Sequence, residues 1–442
     1  MKQSADALRI LLSAYFFAPG AGSEMGTGWN AALELARAHQ VWVVTPGHAR
    51  DRIERALAAA GRPHLGVVYH DLPRFIVRSL STNEVTHHVR YYLWQLAIFP
   101  LVSRLHREIA FDLTHHLTPQ KYWAPSSLAW LDAPFVWGPV GAAGGVRPAL
   151  WRGVGLRGRA LDAARSLGQA AAWLDPATRA TARRSALALA ADDRTARRCR
   201  KLGAQKVVAL PAIALPEHEL ARLLSHPVAP PGRPFVFASF QRLVYWKGVH
   251  LGLKAFARLD DPRTIYRIIG DGPEKPRLMA MAQKLGVADR VRFQGTVGRE
   301  DYFASLLQAD AIVYPSLHAV SAWTVVEAMA GGKPVICLTD AGDAVPVTAS
   351  SGVIVRGASE REIVAGLAEA MATLVARPEL CARLGEEGRS VARSFGWSDR
   401  ARAFDRLYHD VVESHVTVRR RPPCAGGEAR EDRSSDWSGA RL

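Results

Sequence analysis

Short apolar runs alternate along this chain with longer stretches whose apolar residues recur every three or four positions. That is the pattern of buried strands separated by amphipathic helices. In the first half it predicts strands at Leu8 to Ala14, Val41 to Thr45, Gly66 to Tyr69, Phe111 to His116, Pro134 to Gly138 and Val207 to Leu210. Residues 50 to 110 are otherwise mostly helical by pattern, and the Ala- and Arg-rich stretch 151 to 205 reads as helix. The run H-P-V-A-P-P-G-R-P, His226 to Pro234, breaks the alternation and reads as a linker. The alternation then restarts, with strands predicted at Phe235 to Phe240, Tyr266 to Ile269, Val291 to Phe293, Ala311 to Tyr314, Val335 to Leu338 and Gly352 to Val355. A last amphipathic helix has Trp397 near its start, and the polar, charged sequence after Ser414 reads as disordered. The fold class expected is α/β, with two doubly wound Rossmann-like domains facing across a cleft, residues 1–225 and 235–395, then a helix over 396–414 and a tail over 415–442.

The sharpest stretch is Asp310 to Ile336, D-A-I-V-Y-P-S-L-H-A-V-S-A-W-T-V-V-E-A-M-A-G-G-K-P-V-I. It reads as strand, loop, helix, strand, with Gly331 and Gly332 closing the helix. The loop follows a parallel strand, where open α/β sheets bind ligands, and the helix start leaves N–H groups ready for a phosphate. Glu327 shares a helix face with Trp323, and its carboxylate suits a pair of hydroxyls beside a phosphate held there. After the strand Phe235 to Phe240 come Arg242 and Lys247, two cations flanking a helix start. Cations are unfavourable at that end of the helix dipole, which points to an anionic partner; the pair suits a diphosphate. The turn Gln294 to Val297 offers backbone at another strand end. In the first half, glycines 20, 22, 26 and 28 follow the first strand, which lets backbone approach a ligand closely, although the spacing is not the dinucleotide fingerprint. His115 and His116 end a predicted strand; alternation along a strand sends one of them into the core, so one of the two is functional.

Composition narrows the partners. With 48% hydrophobic and 22% charged residues, the 442-residue chain is an ordinary globular protein. Its four cysteines form no C-x-x-C pair, which argues against structural zinc or a disulfide framework and fits a reducing compartment. The short apolar N-terminal run is not a signal peptide, and no run is long enough to span a bilayer, so a cytoplasmic protein is expected. The net charge of +16 is spread along the chain without interleaved aromatics, which disfavours nucleic acid and favours an anionic membrane surface.

At this point the second half resembles the group-one retaining glycosyltransferases of the GT-B fold. The motifs are Q-R-L-V-Y-W-K-G, G-D-G-P-E, F-Q-G-T-V, and Y-P-S with E-A-M-A-G-G-K-P-V-I, in the family's order between about 235 and 346. The first half is similar more loosely, through its Gly loop and H-H-L-T. The resemblance implies a sugar moved from a nucleoside-diphosphate sugar to a saccharide or lipid-linked acceptor hydroxyl, in cell-surface polysaccharide or glycolipid synthesis. No further cofactor is implied, and without a D-x-D motif no metal. It implies Arg242 and Lys247 on the donor diphosphate, both counted as catalytic, and Glu327 on the ribose. Val320, Ser321, Ala322 and Trp323 would offer N–H groups to the distal phosphate. Val297 would lie near the base, Gly270 in the donor site, and Gly22 near the diphosphate from the other domain. One of His115 and His116, with His116 preferred, would face the transferred sugar. Two positions depart from the family: Ala319 stands where the first acid of its Glu-x7-Glu motif is expected, and Gln241 replaces the glycine before Arg242. The first leaves open a non-catalytic sugar-nucleotide-binding or partner subunit. A nucleotide-sugar epimerase is a further alternative.

Overall fold

The computed structural model describes residues 7–79, 84–141, 145–228, 234–318, 322–339 and 346–420. In the first half, β1 (Arg9–Ala14), β2 (Gln40–Thr45), β3 (Leu65–Tyr69), β4 (Leu113–Thr118), β5 (Phe135–Val140), β6 (Leu187–Ala190) and β7 (Val207–Ala209) form one sheet. Its strand order is β3-β2-β1-β4-β5-β6-β7. In the second half, β8 (Phe235–Phe240), β9 (Thr264–Ile269), β10 (Val291–Gly295), β11 (Ala311–Tyr314), β12 (Val335–Leu338) and β13 (Gly352–Val355) form another, in the order β10-β9-β8-β11-β12-β13. Each assigned strand pair is parallel. Parallel pairing needs a crossover between strands, so helices cover both faces of each sheet and bury the central strands. β4, β5, β8, β11 and β12 are buried at every position, whereas the edge strand β10 alternates with exposed residues. In each sheet the order reverses next to the first strand, between β1 and β4 and between β8 and β11. Chain leaving those strands lines a crevice at the carboxyl ends.

Two elements differ from the sequence reading. Leu187–Ala190 is a strand inside the stretch expected to be all helix. L-A-L-A has strong helix propensity, but all four residues are buried between β5 and β7, and sheet pairing overrides propensity. The final helix, Trp397–Arg420, runs beyond Ser414, where disorder was expected to begin. H-V-T-V-R-R contains no breaker before Pro422, and residues 421–442 lie outside the described residues.

That helix packs Trp397, Phe404, Tyr408 and Val411 into the core of the first sheet, with Ile10, Leu12, Val41 and Leu113. The two halves also meet elsewhere. Val146, Leu150 and Val154, in and beside a 3-10 turn (Pro148–Gly153) after β5, sit in the core cluster of the second sheet. Arg147 Nη2 donates to the Gly357 carbonyl at 2.7 Å, and the Tyr245 hydroxyl donates to Asp162 Oδ1 at 3.1 Å.

Phe404 is 1% exposed and stacks on Tyr408 with ring centroids 5.9 Å apart. Phe404→Ala is expected to destabilise the first-sheet core by about 3–5 kcal/mol. Chemical denaturation followed by tryptophan fluorescence checks this; a change below about 1 kcal/mol contradicts the packing described.

Candidate functional site

The second sheet builds most of the site at its reversal point. After β8, Gln241 to Leu243 lead into a 3-10 turn, Tyr245–Lys247, and Gly248. Gly248 has φ +65°, and a Cβ there would lie 2.0 Å from the Pro315 carbonyl oxygen, so only glycine lets this turn seat against the end of β11. The seating is held by the Leu317 amide, which donates to the Trp246 carbonyl at 2.8 Å. It brings Lys247 to Tyr314, with Nζ 3.1 Å from the hydroxyl and 5.2 Å from the ring centroid. Arg242 is exposed. Neither Arg242 nor Lys247 has a carboxylate partner among the described residues. The helix Trp323–Ala330 opens behind Ala322, and its first turn carries Trp323 and Thr324.

A cavity of about 270 Å³ joins these parts: Gln241, Arg242 and Lys247 on one side, Ala322, Trp323, Thr324 and Glu327 on the other. Phe240, Tyr302 and Tyr314 close it, Arg299 lines it, and Gly22 faces it from the first half. Gly22 caps the helix Ser23–Leu35 and a Cβ there would meet nothing within 4 Å, so backbone is open to a ligand. One turn on, a Cβ on Gly26 would lie 2.1 Å from the Ala21 carbonyl oxygen and 3.3 Å from Trp323 Cη2. The two halves approach each other closely beside the cavity.

Glu327 is the buried charge of the site, at 1% exposure. Arg299 Nη2 donates to its Oε1 at 2.6 Å, and the Tyr302 hydroxyl donates to its Oε2. Burial pushes the Glu327 carboxyl above the usual range, while the charge of Arg299 and the hydrogen bond from Tyr302 pull it back. Arg299 is itself held between two carboxylates, with Nε 3.0 Å and Nη2 2.5 Å from Glu219. Burial works against its charge, but Glu219 and Glu327 outweigh that and raise its pKa. Tyr302 is kept protonated by burial and by the neighbouring Glu327 charge.

Six of the residues singled out from sequence thus meet at one cavity: Gly22, Arg242, Lys247, Ala322, Trp323 and Glu327. Val320 and Ser321, with Ala319, lie outside the described residues. Val297 is half-buried and packs on the apolar cluster behind Trp323, off the cavity wall. Gly270, at φ +127°, is also off the wall; a Cβ there would lie 2.2 Å from the Gln241 carbonyl oxygen, so close packing of strand ends requires glycine.

His115 and His116 are not brought to the cavity. β4 spans Leu113–Thr118, two residues later than expected, so both histidines fall mid-strand and both are 0% exposed. Alternation sends them to opposite faces, but both faces are covered. His115 Nδ1 lies 2.6 Å from the Tyr408 hydroxyl and its Nε2 bonds to the Gly138 carbonyl. A carbonyl only accepts, so Nε2 carries the proton. His116 Nδ1 lies 3.3 Å from the Tyr91 hydroxyl, and Nε2 lies 3.1 Å from the Pro119 carbonyl oxygen. Burial pushes His115 down to about 3 and His116 to about 4. His318, beside Ala319, is buried as well; its Nε2 meets Arg165 of the first half, and burial with the nearby cations keeps it neutral.

Sequence reasoning missed Arg299, Tyr302 and Tyr314. The signal for Arg299 was present: it opens the helix Arg299–Leu307, the same unfavourable cation placement that singled out Arg242 and Lys247.

Two Rossmann-like sheets with a shared cavity at their reversal points define the GT-B fold. The segment 224–391 matches the family described as Glycosyl transferases group 1, and the chain resembles that family. Over 186 residues it is 32% identical to the D-inositol 3-phosphate glycosyltransferase of Corynebacterium glutamicum, covering 40% of this chain and 44% of that protein. The chain thus spans less than half the length of that curated relative. The sucrose-phosphate synthase of Thermosynechococcus elongatus superposes with a TM-score of 0.59 at 17% identity, covering 92% of this chain and all of that one. HepE of Anabaena, solved in complex with UDP-glucose, superposes with a TM-score of 0.58 at 17% identity and covers 92% of this chain and all of that one.

Both strand histidines have folded pKa values below the unfolded value of about 6.5. Their contribution is therefore intact above about pH 6.5 and is lost as pH falls toward 4. Denaturant midpoints measured between about pH 7.5 and 4.5 should fall less steeply for His115→Gln and His116→Gln than for the wild type; parallel curves would contradict neutral burial.

Proposed function

We propose that this chain moves a sugar, with retention of configuration, from a nucleoside-diphosphate sugar to an acceptor hydroxyl. The observation that carries the reading is one cavity walled by two cations without carboxylate partners among the described residues and, opposite, by a buried carboxylate. Arg242 and Lys247 match a diphosphate, the first through paired hydrogen bonds and the second as a point charge. The Trp323 helix start adds amide groups. Glu327 matches vicinal ribose hydroxyls, because each of its oxygens has one protein donor and keeps acceptor capacity for another.

In this reading the reaction turns on charge building up on the departing diphosphate, which Arg242, Lys247 and the helix amides stabilise without reorganising. The acceptor proton passes to a departing phosphate oxygen, since His115 and His116 are neutral and enclosed. His115 ties β4 to the final helix, and His116 ties it to the helix over residues 84–109. Turnover is proposed to need no metal. Calorimetry against a panel of nucleoside diphosphates tests the site. Arg242→Ala and Lys247→Ala are each expected to weaken binding by about ten- to a hundredfold, roughly 1.5–3 kcal/mol for a charged hydrogen bond. Unchanged affinity in both would contradict the reading. Ala319 favours a second reading, a subunit that binds the donor without consuming it; tight binding with no product from any acceptor would select it.

The acceptor is proposed to be a saccharide or lipid-linked hydroxyl presented at the cytoplasmic face of an anionic membrane. Among the described residues no helix is long and apolar enough to cross a membrane. Leu96 and Phe75 are 61% and 73% exposed on helices of the first half, and Leu174 is 84% exposed. The Tyr92 hydroxyl donates to Asp175 at 3.0 Å, which ties the Leu174 corner to the Leu96 helix, with Arg179 and Arg184 beyond it. Apolar tips with a basic rim suit anionic lipid. The protein should sediment with phosphatidylglycerol vesicles but not phosphatidylcholine vesicles, and Leu96→Glu with Leu174→Glu should release it. Equal recovery with both lipids, or no effect of the pair, would contradict this placement.

A further inference from the structure

The cavity is electrostatically divided. At one end Arg242 and Lys247 stand without carboxylate partners among the described residues. At the other, Arg299 is gripped by two carboxylates, Glu219 from the helix Glu217–Ser225 and Glu327 from the helix Trp323–Ala330. One cation between two carboxylates leaves that end with a net negative charge, which repels phosphate and attracts hydroxyl donors. Arg299 is also held flat, with its guanidinium 4.2 Å above the Phe303 ring centroid and 5.1 Å from that of Tyr302. Its Nε and Nη2 edge is committed to Glu219, and Nη2 is shared with Glu327 Oε1. Tyr302, one helical turn beyond, takes Oε2. The two protein donors therefore fix the plane of the Glu327 carboxylate and leave one lone pair on each oxygen, the arrangement that two neighbouring hydroxyls need.

We propose that Arg299 is a positioning residue for the ribose of the donor: it keeps Glu327 ionised and oriented, and does not itself bind the diphosphate. This rests on the cavity being a nucleoside-diphosphate site. A carboxylate 1% exposed would take up a proton if left without a cation, and a protonated Glu327 would donate where it must accept. The groups facing Glu327 are Arg299 and Tyr302 from one helix, Glu219 from a second, and Thr324 from its own, with Arg242 and Lys247 across the cavity. Removing Arg299 leaves Glu219 to push the Glu327 carboxyl further up.

The test compares ribose with no ribose hydroxyls. Affinities of the full chain for uridine, guanosine and adenosine diphosphate, and for their 2′,3′-dideoxy counterparts, are measured by calorimetry with wild type, Arg299→Gln and Arg299→Lys. Arg299→Gln should lose about tenfold or more toward the preferred ribose nucleotide, as expected for a charged hydrogen bond. It should bind the dideoxy form like the wild type, which also shows that the variant is folded. Arg299→Lys should recover most of the loss. The loss in Arg299→Gln should deepen as pH is lowered, starting at higher pH than in the wild type, because protonation of Glu327 is what removes the acceptor. Equal losses on ribose and dideoxy nucleotides would overturn the proposal in favour of a direct phosphate contact, and no loss on either would reduce the ion pairs to scaffolding. Failure of the wild type to bind any of the six would instead remove the nucleoside-diphosphate reading itself, and this proposal with it.

Discussion

Parallel pairing is the constraint on which the rest of this molecule depends. A strand joined to a parallel neighbour must return along a crossover, so helices coat both faces and every carboxyl end opens on the same edge. In both sheets the order reverses beside the first strand, and there the outgoing segments diverge and leave a crevice. The Gly22 loop after β1 and the Arg242 to Lys247 turn after β8 occupy equivalent places in the two halves. The cavity between them follows from topology before any side chain is considered.

What the side chains add is a separation of charge. Close backbone contacts set it up: Gly248 lets the turn rest on Pro315 and so aims Lys247, and Gly270 lets two strand ends touch behind Gln241. The cations then gather where the β8 turn meets the Trp323 helix. The carboxylates gather where three helices meet, around Arg299. A buried carboxylate such as Glu327 is tolerated only with a cation and a hydroxyl on it, so its network is a condition of folding. The histidines of β4 illustrate the opposite case. Both ring nitrogens of each have partners in the first half or on the final helix packed against it, which makes them part of the framework.

Much of this was legible in the chain. The run A-I-V-Y, the Gly-Gly stop and the second apolar run outline β11, the Trp323 helix and β12, because a strand buried on both faces favours a continuous apolar run. Arg242, Lys247 and Glu327 were legible because each breaks a local rule, a cation at a helix start or an acid on an apolar helix. Other parts depend on contacts that no local pattern contains. L-A-L-A becomes β6 only because β5 and β7 flank it. His116 is enclosed because a long helix from residues 84–109 lies over it, and His115 because the final helix, from nearly 300 residues later, delivers Tyr408. Arg299 meets Glu327 across 28 residues and Glu219 across 80, so its meaning is visible only in three dimensions.

On the proposed function, a nucleoside diphosphate spans this cavity from its cationic to its anionic end. The most direct measurement is a crystal structure of the full chain with the nucleoside diphosphate it binds most tightly. Phosphate density is expected against Arg242 and Lys247, and ribose hydroxyls on Glu327 with Arg299 still paired to it. A nucleotide bound elsewhere, or bound here with its phosphates against Arg299 and its ribose away from Glu327, would contradict it.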